Sequence, residues 1–277
     1  MDTLELLSNG PGADPAHDEV GAWVRAIPDL QARLGRAVRQ ALDEVIDGPR
    51  TGRWSYAQLE KTEKTYVGTK IEIVVRTALG LERIGRLDTV IAGHEVDFKW
   101  SGSEGWMIPT EAVDELCFLV SGDEAAGSFS AGLVRCTPDL LRPGANKDGK
   151  TSLSASGKLA IDWFVRGAPL RRNFIADMDS ATRTEIMSGR SGQERIRTLF
   201  TRLPYVPIPR DAVETVAQQR DPMRRLRKDQ AERLGGMRVL SAKYGNRLVT
   251  GLGYDPLPTD SFMAVPQAAL EAAGLED

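Results

Sequence analysis

Two helical patterns and four strand-like runs follow one another through the first half of the chain. Apolar residues recur every three or four positions from Asp29 and stop at Gly48, which predicts an amphipathic helix over 29–47. A second helix is predicted over 68–78. Alternating apolar runs predict strands at 87–91, 95–100, 115–121 and 129–136. Strands flanked by helices on both sides predict a mixed α/β domain, which we place at 16–162.

The remainder of the chain, 163–277, shows a different pattern. Ser191 and Glu194 fit a capping box that opens a helix ending near Arg202. The elements predicted after it are a helix over 211–220, a basic helix over 222–234 and strands at 237–243 and 247–252 around the turn Tyr244-Gly245-Asn246. The predicted basic helix has Asp221 as its N-cap and Pro222 at its first position. The order helix, turn, basic helix, hairpin is typical of a winged helix-turn-helix domain.

Composition places the chain among ordinary globular proteins. Of its 277 residues, 41% are hydrophobic and 27% charged, which excludes a disordered or fibrous chain. Cys117 and Cys136 lie in apolar runs, which is typical of reduced core thiols rather than a disulfide. No run approaches the ~18 apolar residues of a membrane span, and the acidic N-terminus lacks the basic start of a secretory signal. We therefore expect a cytoplasmic protein with no membrane segment.

Charge is segregated along the chain, although the formal net charge is only −3. Residues 1–160 carry 18 basic and 24 acidic side chains, whereas 161–247 carry 18 basic and 10 acidic ones. A net-basic segment favours a polyanionic partner such as nucleic acid. The charge balance of the whole chain hides this segment.

The run 87–100 carries the candidate chemistry. In its second predicted strand, Asp97 and Lys99 share one face. If residues 92–93 form a two-residue hairpin turn, Asp88 lies directly opposite Asp97, where like charges repel. A divalent cation such as Mg²⁺ would explain paired carboxylates, and a lysine beside them suits the stabilisation of charge on a phosphate.

A charged edge strand exposed to solvent is the alternative explanation for this pattern. The chain contains one other Asp-x-Lys sequence, Asp148-Gly149-Lys150, in a glycine-rich loop that we interpret as a chance match. The position of Asp88 across the turn and Trp100 at the strand end favour a functional site. Spacing alone leaves both explanations open.

Several short motifs run in order through the chain, densely over about 43–140 and more sparsely to about 250. They are Asp47-Gly48-x-Arg50-Thr51-Gly52-Arg53-Trp54, Gln58-Leu59-x-Lys61-Thr62-Glu63-Lys64-Thr65, Gly68-Thr69, Glu72-Ile73, Ile91-Ala92-Gly93, Val96-Asp97-x-Lys99, Trp106-Met107, Ala131-Gly132-Leu133-Val134, Thr215-Val216-Ala217-Gln218-Gln219 and Met223-Arg224-Arg225-Leu226-Arg227. Together they resemble the NaeI family of type II restriction endonucleases.

The resemblance implies a restriction-endonuclease-like mixed sheet of the PD-(D/E)xK class, followed by a winged-helix DNA-binding domain, in a homodimer that uses Mg²⁺. It also implies that Asp88, Asp97 and Glu72 bind the metal, and that these acids and Lys99 are catalytic. Leu87 stands where the motif usually has proline. Without the resemblance, a solvated helix carboxylate explains Glu72 equally well.

DNA contacts are implied in both modules. The predicted contact residues are Lys61, Lys64, Gln218, Gln219, Arg224, Arg225, Arg227, Lys228, Arg238 and Lys243. In family members of this kind, the second module binds another copy of the recognition duplex, which activates cleavage at the first. The basic helix 222–234 suits that role, because arginine binds guanine edges and phosphates. The alternative for the basic helix is a cationic face exposed to solvent. The alternative for Lys61 and Lys64 is surface pairing with Glu60 and Glu63.

The leading hypothesis is a Mg²⁺-dependent endonuclease that cuts double-stranded DNA at a short, GC-rich palindrome, with a cognate DNA methyltransferase as functional partner. Each protomer is expected to bind one or two duplexes. The alternatives are a DNA-binding regulator that has lost turnover and a nickase directed to mismatches. The C-terminal part is shorter than the family pattern and departs from it in the wing, so a specific second DNA site is an open question.

Overall fold

The computed structural model describes residues 14–218 and 234–275. These residues form two compact units, and each unit contains separate segments of the chain. Of the described residues, unit 1 comprises 14–45 and 60–171, and unit 2 comprises 46–59, 172–218 and 234–275. The helices are α1 (Pro15–Arg25), α2 (Leu30–Ile46), α3 (Gly48–Thr51), α4 (Lys61–Ala78), α5 (Ala155–Leu159), α6 (Phe174–Asp177), α7 (Ser180–Met187), α8 (Gly192–Arg202), α9 (Arg210–Ala217), α10 (Asn246–Gly251) and α11 (Gln267–Ala272). No helix in the part of the chain that the structure describes is long and apolar enough to cross a membrane.

The strands divide between two main sheets and one short pair. They are β1 (Thr89–Ile91), β2 (His94–Ser101), β3 (Met107–Ile108), β4 (Leu116–Asp123), β5 (Ser128–Arg135), β6 (Thr151–Ser152), β7 (Asp162–Pro169), β8 (Ile208–Pro209), β9 (Met237–Ser241) and β10 (Ser261–Pro266). The helix predicted over 29–47 and the four strands predicted between 87 and 136 are confirmed to within about two residues at each end. The helix predicted from residue 68 begins earlier, at Lys61.

Unit 1 is built on a five-stranded mixed sheet with the order β1-β2-β4-β5-β7. Strands β2 and β4 are parallel, and the other neighbours are antiparallel. Helix α2 packs against Phe129 of β5 through Gly35, and α4 packs against β2. The expected mixed α/β fold is therefore confirmed for this unit.

The face of the sheet that carries Cys117 and Leu119 is covered by a separate apolar cluster that includes Trp106, Ile108 and Leu153. These three residues lie in or next to the short β3–β6 pair. The indole Nε1 of Trp106 donates a hydrogen bond of 2.8 Å to the backbone oxygen of Val120 on β4. The β3–β6 pair is thus fixed to the sheet by both packing and a buried hydrogen bond.

The β1–β2 hairpin has the register that the sequence predicts. Thr89 pairs with Val96 and Ile91 with His94, so the turn is centred on residues 92–93. Both turn residues have positive φ, 51° at Ala92 and 87° at Gly93. Positive φ at both central residues is the geometry of a type I′ turn, whose twist matches that of the paired strands.

The structure places the division between the units differently from the sequence-based boundary between 162 and 163. That boundary falls at the start of β7, which pairs with β5 and so completes the sheet of unit 1. Residues 46–59, assigned by sequence to the first domain, belong to unit 2, where α3 packs against α9. Sequence periodicity did not reveal β7, because its exposed and half-buried residues do not alternate cleanly.

Unit 2 contains a three-stranded antiparallel sheet with the order β8-β10-β9. Helices α8 and α9 pack together around an apolar cluster that includes Phe200, Val213 and Val216. Ser191 caps α8 by accepting a hydrogen bond from the backbone N–H of Glu194, as predicted. The carboxylate of Glu194 accepts from the backbone N–H of Arg190 rather than from that of Ser191, so the reciprocal half of the predicted capping box is shifted by one residue.

The strand predicted over 247–252 is wrong, because these residues lie in or just after helix α10. The strand that pairs with β9 is instead β10, further along the chain. Leu248 and Val249 are consecutive and both buried, at 2% and 0% exposure. A strand with one solvent-facing side cannot bury two neighbouring side chains, whereas a helix that packs on a sheet can.

Two other predictions in unit 2 concern residues at or beyond position 218, where the first described range ends. The helix predicted over 211–220 is observed as α9, which ends at Ala217 with Gln218 in the left-handed region at φ 52°. The basic helix predicted over 222–234 lies almost entirely outside the described residues and stays a prediction.

Candidate active site

Asp97 and Lys99 lie on the same face of β2 because two residues separate neighbours on one side of a strand. The Lys99 Nζ atom lies 2.6 Å from Asp97 Oδ2 and also donates a 3.0 Å hydrogen bond to the backbone oxygen of Phe98. Asp97 is only 5% exposed. The pair is therefore an ion pair between a buried carboxylate and a half-buried ammonium group.

Asp88 comes directly before β1 and, by the hairpin register, stands opposite Asp97. Its Oδ2 atom accepts a 2.8 Å hydrogen bond from the backbone N–H of Phe98. Its Oδ1 atom lies 3.9 Å from Nη1 of Arg76, a buried residue of α4. Asp88 is thus held on one side by strand β2 and on the other by the cation of Arg76.

Glu72 is brought to the same place by α4. Burial raises the pKa of its carboxyl to about 7, against the lowering effect of Lys99, and the charges of Asp88 and Asp97 raise it further. The sequence-predicted residues Glu72, Asp88, Asp97 and Lys99 therefore converge on one site. We call Glu72, Asp88 and Asp97 the acid cluster.

The ionisation of the pair on β2 follows from burial and mutual attraction. Burial raises the pKa of Asp97 to about 6, because desolvation outweighs the ion pair with Lys99 and the charge of Asp88 adds to the rise. Burial by itself would lower the pKa of Lys99, but the Asp97 carboxylate and the other two acids raise it overall. Lys99 accordingly stays protonated at neutral pH.

A thiol lies under the same carboxylate. The Cys117 Sγ atom is 4.0 Å from Asp97 Oδ2, since β2 and β4 are paired with these two residues in register. A hydrogen bond with Cys136, together with burial, raises the pKa of the Cys117 thiol well above its usual value. Both cysteines are free and buried, as the sequence predicts.

Acids outnumber cations in the site. Among the described residues, three carboxyl groups face two cations, Lys99 and Arg76, so the fully ionised site carries one more negative than positive charge. Within residues 14–218 and 234–275, no three His, Cys, Asp or Glu side chains stand in a ready-made metal-binding arrangement. Asp97 Oδ2 and Asp88 Oδ2 instead bind protein donors. The set consists of oxygen donors with excess negative charge, which is the ligand chemistry of Mg²⁺.

Sequence reasoning missed Arg76. The residue follows Glu72 by four positions, the spacing that places two side chains on one helix face. That spacing was a usable signal, but a single Glu-x-x-x-Arg pair is common on exposed helices. Only the packing of α4 against β2 shows that this arginine is 8% exposed and faces an acid.

The predicted DNA contacts Lys61 and Lys64 lie in the first turns of α4, the helix that carries Glu72. Lys61 is exposed and Lys64 is half-buried. A helix rises ~1.5 Å per residue, so Lys64 lies about 12 Å along the axis from Glu72. The two lysines are therefore outside the acid cluster, at the other end of the same helix.

In unit 2, Gln218 ends α9 and its side chain packs closely on Gly52. A Cβ atom at Gly52 would come within 2.5 Å of Gln218 Nε2, and Gly52 itself has φ 69°. Both the space and the backbone conformation therefore require glycine there. The predicted contacts Gln219, Arg224, Arg225, Arg227 and Lys228 lie outside the described residues.

The remaining two predicted contacts, Arg238 and Lys243, line one cleft of about 750 Å³ in unit 2. Arg210 lines the same cleft, and its guanidinium lies 5.3 Å from the ring centre of Phe262. The Lys243 Nζ atom lies 5.0 Å from the ring centre of Tyr244, which is 77% exposed. We call this the cationic cleft, defined by Arg210, Arg238, Lys243 and Tyr244.

Comparison with known proteins agrees with the motifs. The family model described as "Restriction endonuclease NaeI" matches residues 22–255. The type II restriction enzyme NaeI of Lentzea aerocolonigenes is 35% identical over 226 residues, which cover 78% of this chain and 71% of that enzyme. The match spans both the acid cluster and the cationic cleft. The chain therefore belongs to the NaeI family of restriction endonucleases.

Proposed function

We propose that this protein is a Mg²⁺-dependent type II endonuclease that hydrolyses phosphodiester bonds of double-stranded DNA at the acid cluster. The observation that carries the proposal is the convergence of Glu72, Asp88 and Asp97 with Lys99 in one partly buried site. Family membership supports the same reaction class.

The acid cluster fits a hard divalent cation. Its donor atoms are carboxylate oxygens, and burial together with the neighbouring acids raises the pKa of both Asp97 and Glu72, so a bound cation would favour their ionised forms. We assign Glu72, Asp88 and Asp97 as the residues that would hold Mg²⁺. When bound, the ion lowers the pKa of a water molecule and neutralises charge on the scissile phosphate.

Lys99 supplies the fixed positive charge of the reaction. Its Nζ atom is anchored by Asp97 Oδ2 and the Phe98 carbonyl, which leaves one N–H to donate to the attacking water or to a phosphate oxygen. A donor already held in place costs little reorganisation as charge develops on the phosphate. The water oxygen forms the new bond to phosphorus in line with the departing 3′ oxygen, so the products carry 5′-phosphate and 3′-hydroxyl ends.

Asp88 and Asp97 have separate tasks in this scheme. Asp97 binds Lys99 through Oδ2, so its Oδ1 atom is the oxygen that remains for a cation. Asp88 is oriented by the backbone N–H of Phe98, the residue between Asp97 and Lys99 on β2. One strand therefore positions all three groups, and a small shift of β2 would displace them together.

We propose further that unit 2 is a winged-helix DNA-binding domain. Its element order α8, β8, α9, β9, α10, β10 and its sheet order β8-β10-β9 support this assignment, with residues 242–260, which include α10, in the place of the wing. Arg238 and Lys243 are then contacts to DNA phosphates. A homodimer, a GC-rich palindrome, a second activating duplex and a partner methyltransferase are proposals that rest on family membership.

Digestion of a fully sequenced plasmid with Mg²⁺ tests the function directly. The wild-type protein is expected to give discrete double-strand cuts, and an added oligonucleotide that contains the cut sequence is expected to accelerate them. Asp97→Ala is expected to bind the same DNA without cutting it. Cutting by this variant at the wild-type rate would contradict the assigned site, binding without any cutting by the wild type would indicate a regulator, and single-strand nicks confined to mismatches would indicate a nickase.

A further inference from the structure

Arg76 is a buried cation to which the reaction above gives no task. It is 8% exposed and lies one helical turn after Glu72 on α4. Arginine is rarely buried without a partner. Among the described residues, Asp88 is the carboxylate within ion-pair distance of Arg76, and the 3.9 Å separation is longer than a hydrogen bond.

The guanidinium acts on two of the three acids. It lies 3.9 Å from Asp88 Oδ1, and its charge also favours the ionised form of Glu72 on the preceding turn. Asp97 already has its own cation, Lys99, at 2.6 Å. Arg76 is therefore the ion-pair partner of Asp88, and it acts on Glu72 together with Lys99.

The geometry points to Arg76 as a positioning residue: we propose that it holds Glu72 and Asp88 together in the metal-free protein, in place of the divalent cation. This inference rests on the proposed metal-dependent function. Arg76 is too deeply buried to contact DNA from the surface, and its 3.9 Å separation from Asp88 Oδ1 is that of an ion pair without a hydrogen bond.

Two opposite effects of removing the guanidinium follow from this arrangement. Without Arg76, Lys99 is the cation that remains for the three acids among the described residues, so the acids of the metal-free protein repel one another more strongly, which destabilises the fold. An incoming divalent cation, however, no longer meets a positive charge. Binding of the metal ion is then expected to stabilise the variant more than it stabilises the wild type.

Thermal unfolding without DNA, in EDTA and in Mg²⁺, separates these effects. Arg76→Met is expected to unfold at a lower temperature than the wild type in EDTA. Mg²⁺ is expected to raise the unfolding temperature of Arg76→Met by at least about twice as much as it raises that of the wild type. Arg76→Lys retains the charge and is expected to behave like the wild type. Cleavage by Arg76→Met is expected to fall about tenfold at saturating Mg²⁺, with half-saturation at a lower Mg²⁺ concentration, because the acids are less well oriented.

Arg39→Met is the matched control, because Arg39 is also a buried arginine of unit 1, paired with Asp43 and Glu124 away from the acid cluster. It should lose stability equally in EDTA and in Mg²⁺. If Arg76→Met also lost the same stability in EDTA as in Mg²⁺, the proposal would be overturned. If Arg76→Met does not fold, an Arg76→Lys variant whose Mg²⁺-induced stabilisation differs from that of the wild type would overturn it. Failure of the proposed function is distinguishable, since the wild type itself would then show neither a Mg²⁺ shift nor cleavage.

Discussion

The acid cluster of unit 1 and the cationic cleft of unit 2 use charge in opposite ways. Asp97 is 5% exposed, and its ionisation depends on neighbours within a few ångströms. Tyr244 and Lys243 of the cleft are exposed to solvent. Buried charges interact strongly and specifically, whereas exposed charges are screened by water and salt. The first arrangement suits chemistry on one bond, and the second suits attraction to a phosphate backbone.

Removal of the lysine in the acid cluster is expected to have the largest effect on turnover. Lys99→Met should lower the cleavage rate by at least about 10³-fold, because a pre-oriented charge at the reacting phosphate is lost. Binding of DNA should change little. The measurement is single-turnover cleavage of a short duplex beside a binding isotherm.

Lys150→Met is a matched control for that substitution, since Lys150 belongs to the other Asp-x-Lys sequence of the chain and lies in an exposed loop. It should leave cleavage unchanged. A loss of activity in Lys150→Met comparable to that in Lys99→Met would remove the distinction between the buried site and an ordinary surface lysine.

The pH dependence of stability is expected to show an effect of intermediate size. The pKa of Glu72 is raised from 4.5 to about 7 in the folded protein. A raised carboxyl pKa means that its protonated form stabilises the fold, and this contribution is complete below about pH 4.5 and lost as pH rises through about 7. In EDTA, Glu72→Gln should therefore match the wild type at pH 4.5 and be more stable by about 2 kcal/mol at pH 8.

Urea unfolding at a series of pH values measures this difference. A constant difference between Glu72→Gln and the wild type across the range would show that Glu72 is not in the charged environment described. Glu111→Gln, an exposed carboxyl of unit 1 that lies outside the acid cluster, provides the baseline.

The smallest effect is expected in the cationic cleft. Arg238→Ala combined with Lys243→Ala should weaken DNA binding about equally for all sequences. Binding should also become less salt-dependent, so that the slope of the logarithm of the association constant against the logarithm of salt concentration becomes shallower by about one to two. The cleavage rate at saturating DNA should stay within about twofold of the wild type. Arg202→Ala is the control, because Arg202 is an exposed arginine of unit 2 paired with Glu185. An unchanged salt dependence would exclude these two residues as phosphate contacts.

The way in which each residue of the acid cluster is positioned explains whether the sequence could predict it. Asp88, Asp97 and Lys99 were placed together by strand alternation and a two-residue turn, because the register of a tight hairpin is fixed locally. Glu72 came only from the family resemblance, since its partners lie on other elements. Arg76 was missed for the same reason: its burial depends on how α4 packs against β2.

Unit 2 shows where local patterns fail. The run 247–252 has the β-branched residues of a strand but forms or follows α10, because Leu248, Val249 and Leu270 pack in one apolar cluster. Tertiary packing overrode local propensity there. The chain passes from unit 1 to unit 2 after Val45, near the end of α2, where the helical pattern gives no sign of a division.

Direct counting of bound Mn²⁺ by electron paramagnetic resonance is the most direct test of the acid cluster as the metal site. The wild-type protein, without DNA at pH 8, is expected to bind Mn²⁺ with saturation. Asp97→Asn, which keeps the shape of the side chain and removes its charge, should reduce the affinity at least about tenfold. Lys150→Met should bind Mn²⁺ as the wild type does. Equal Mn²⁺ binding by the wild type and Asp97→Asn would contradict the assignment of the acid cluster as the site that holds the metal ion.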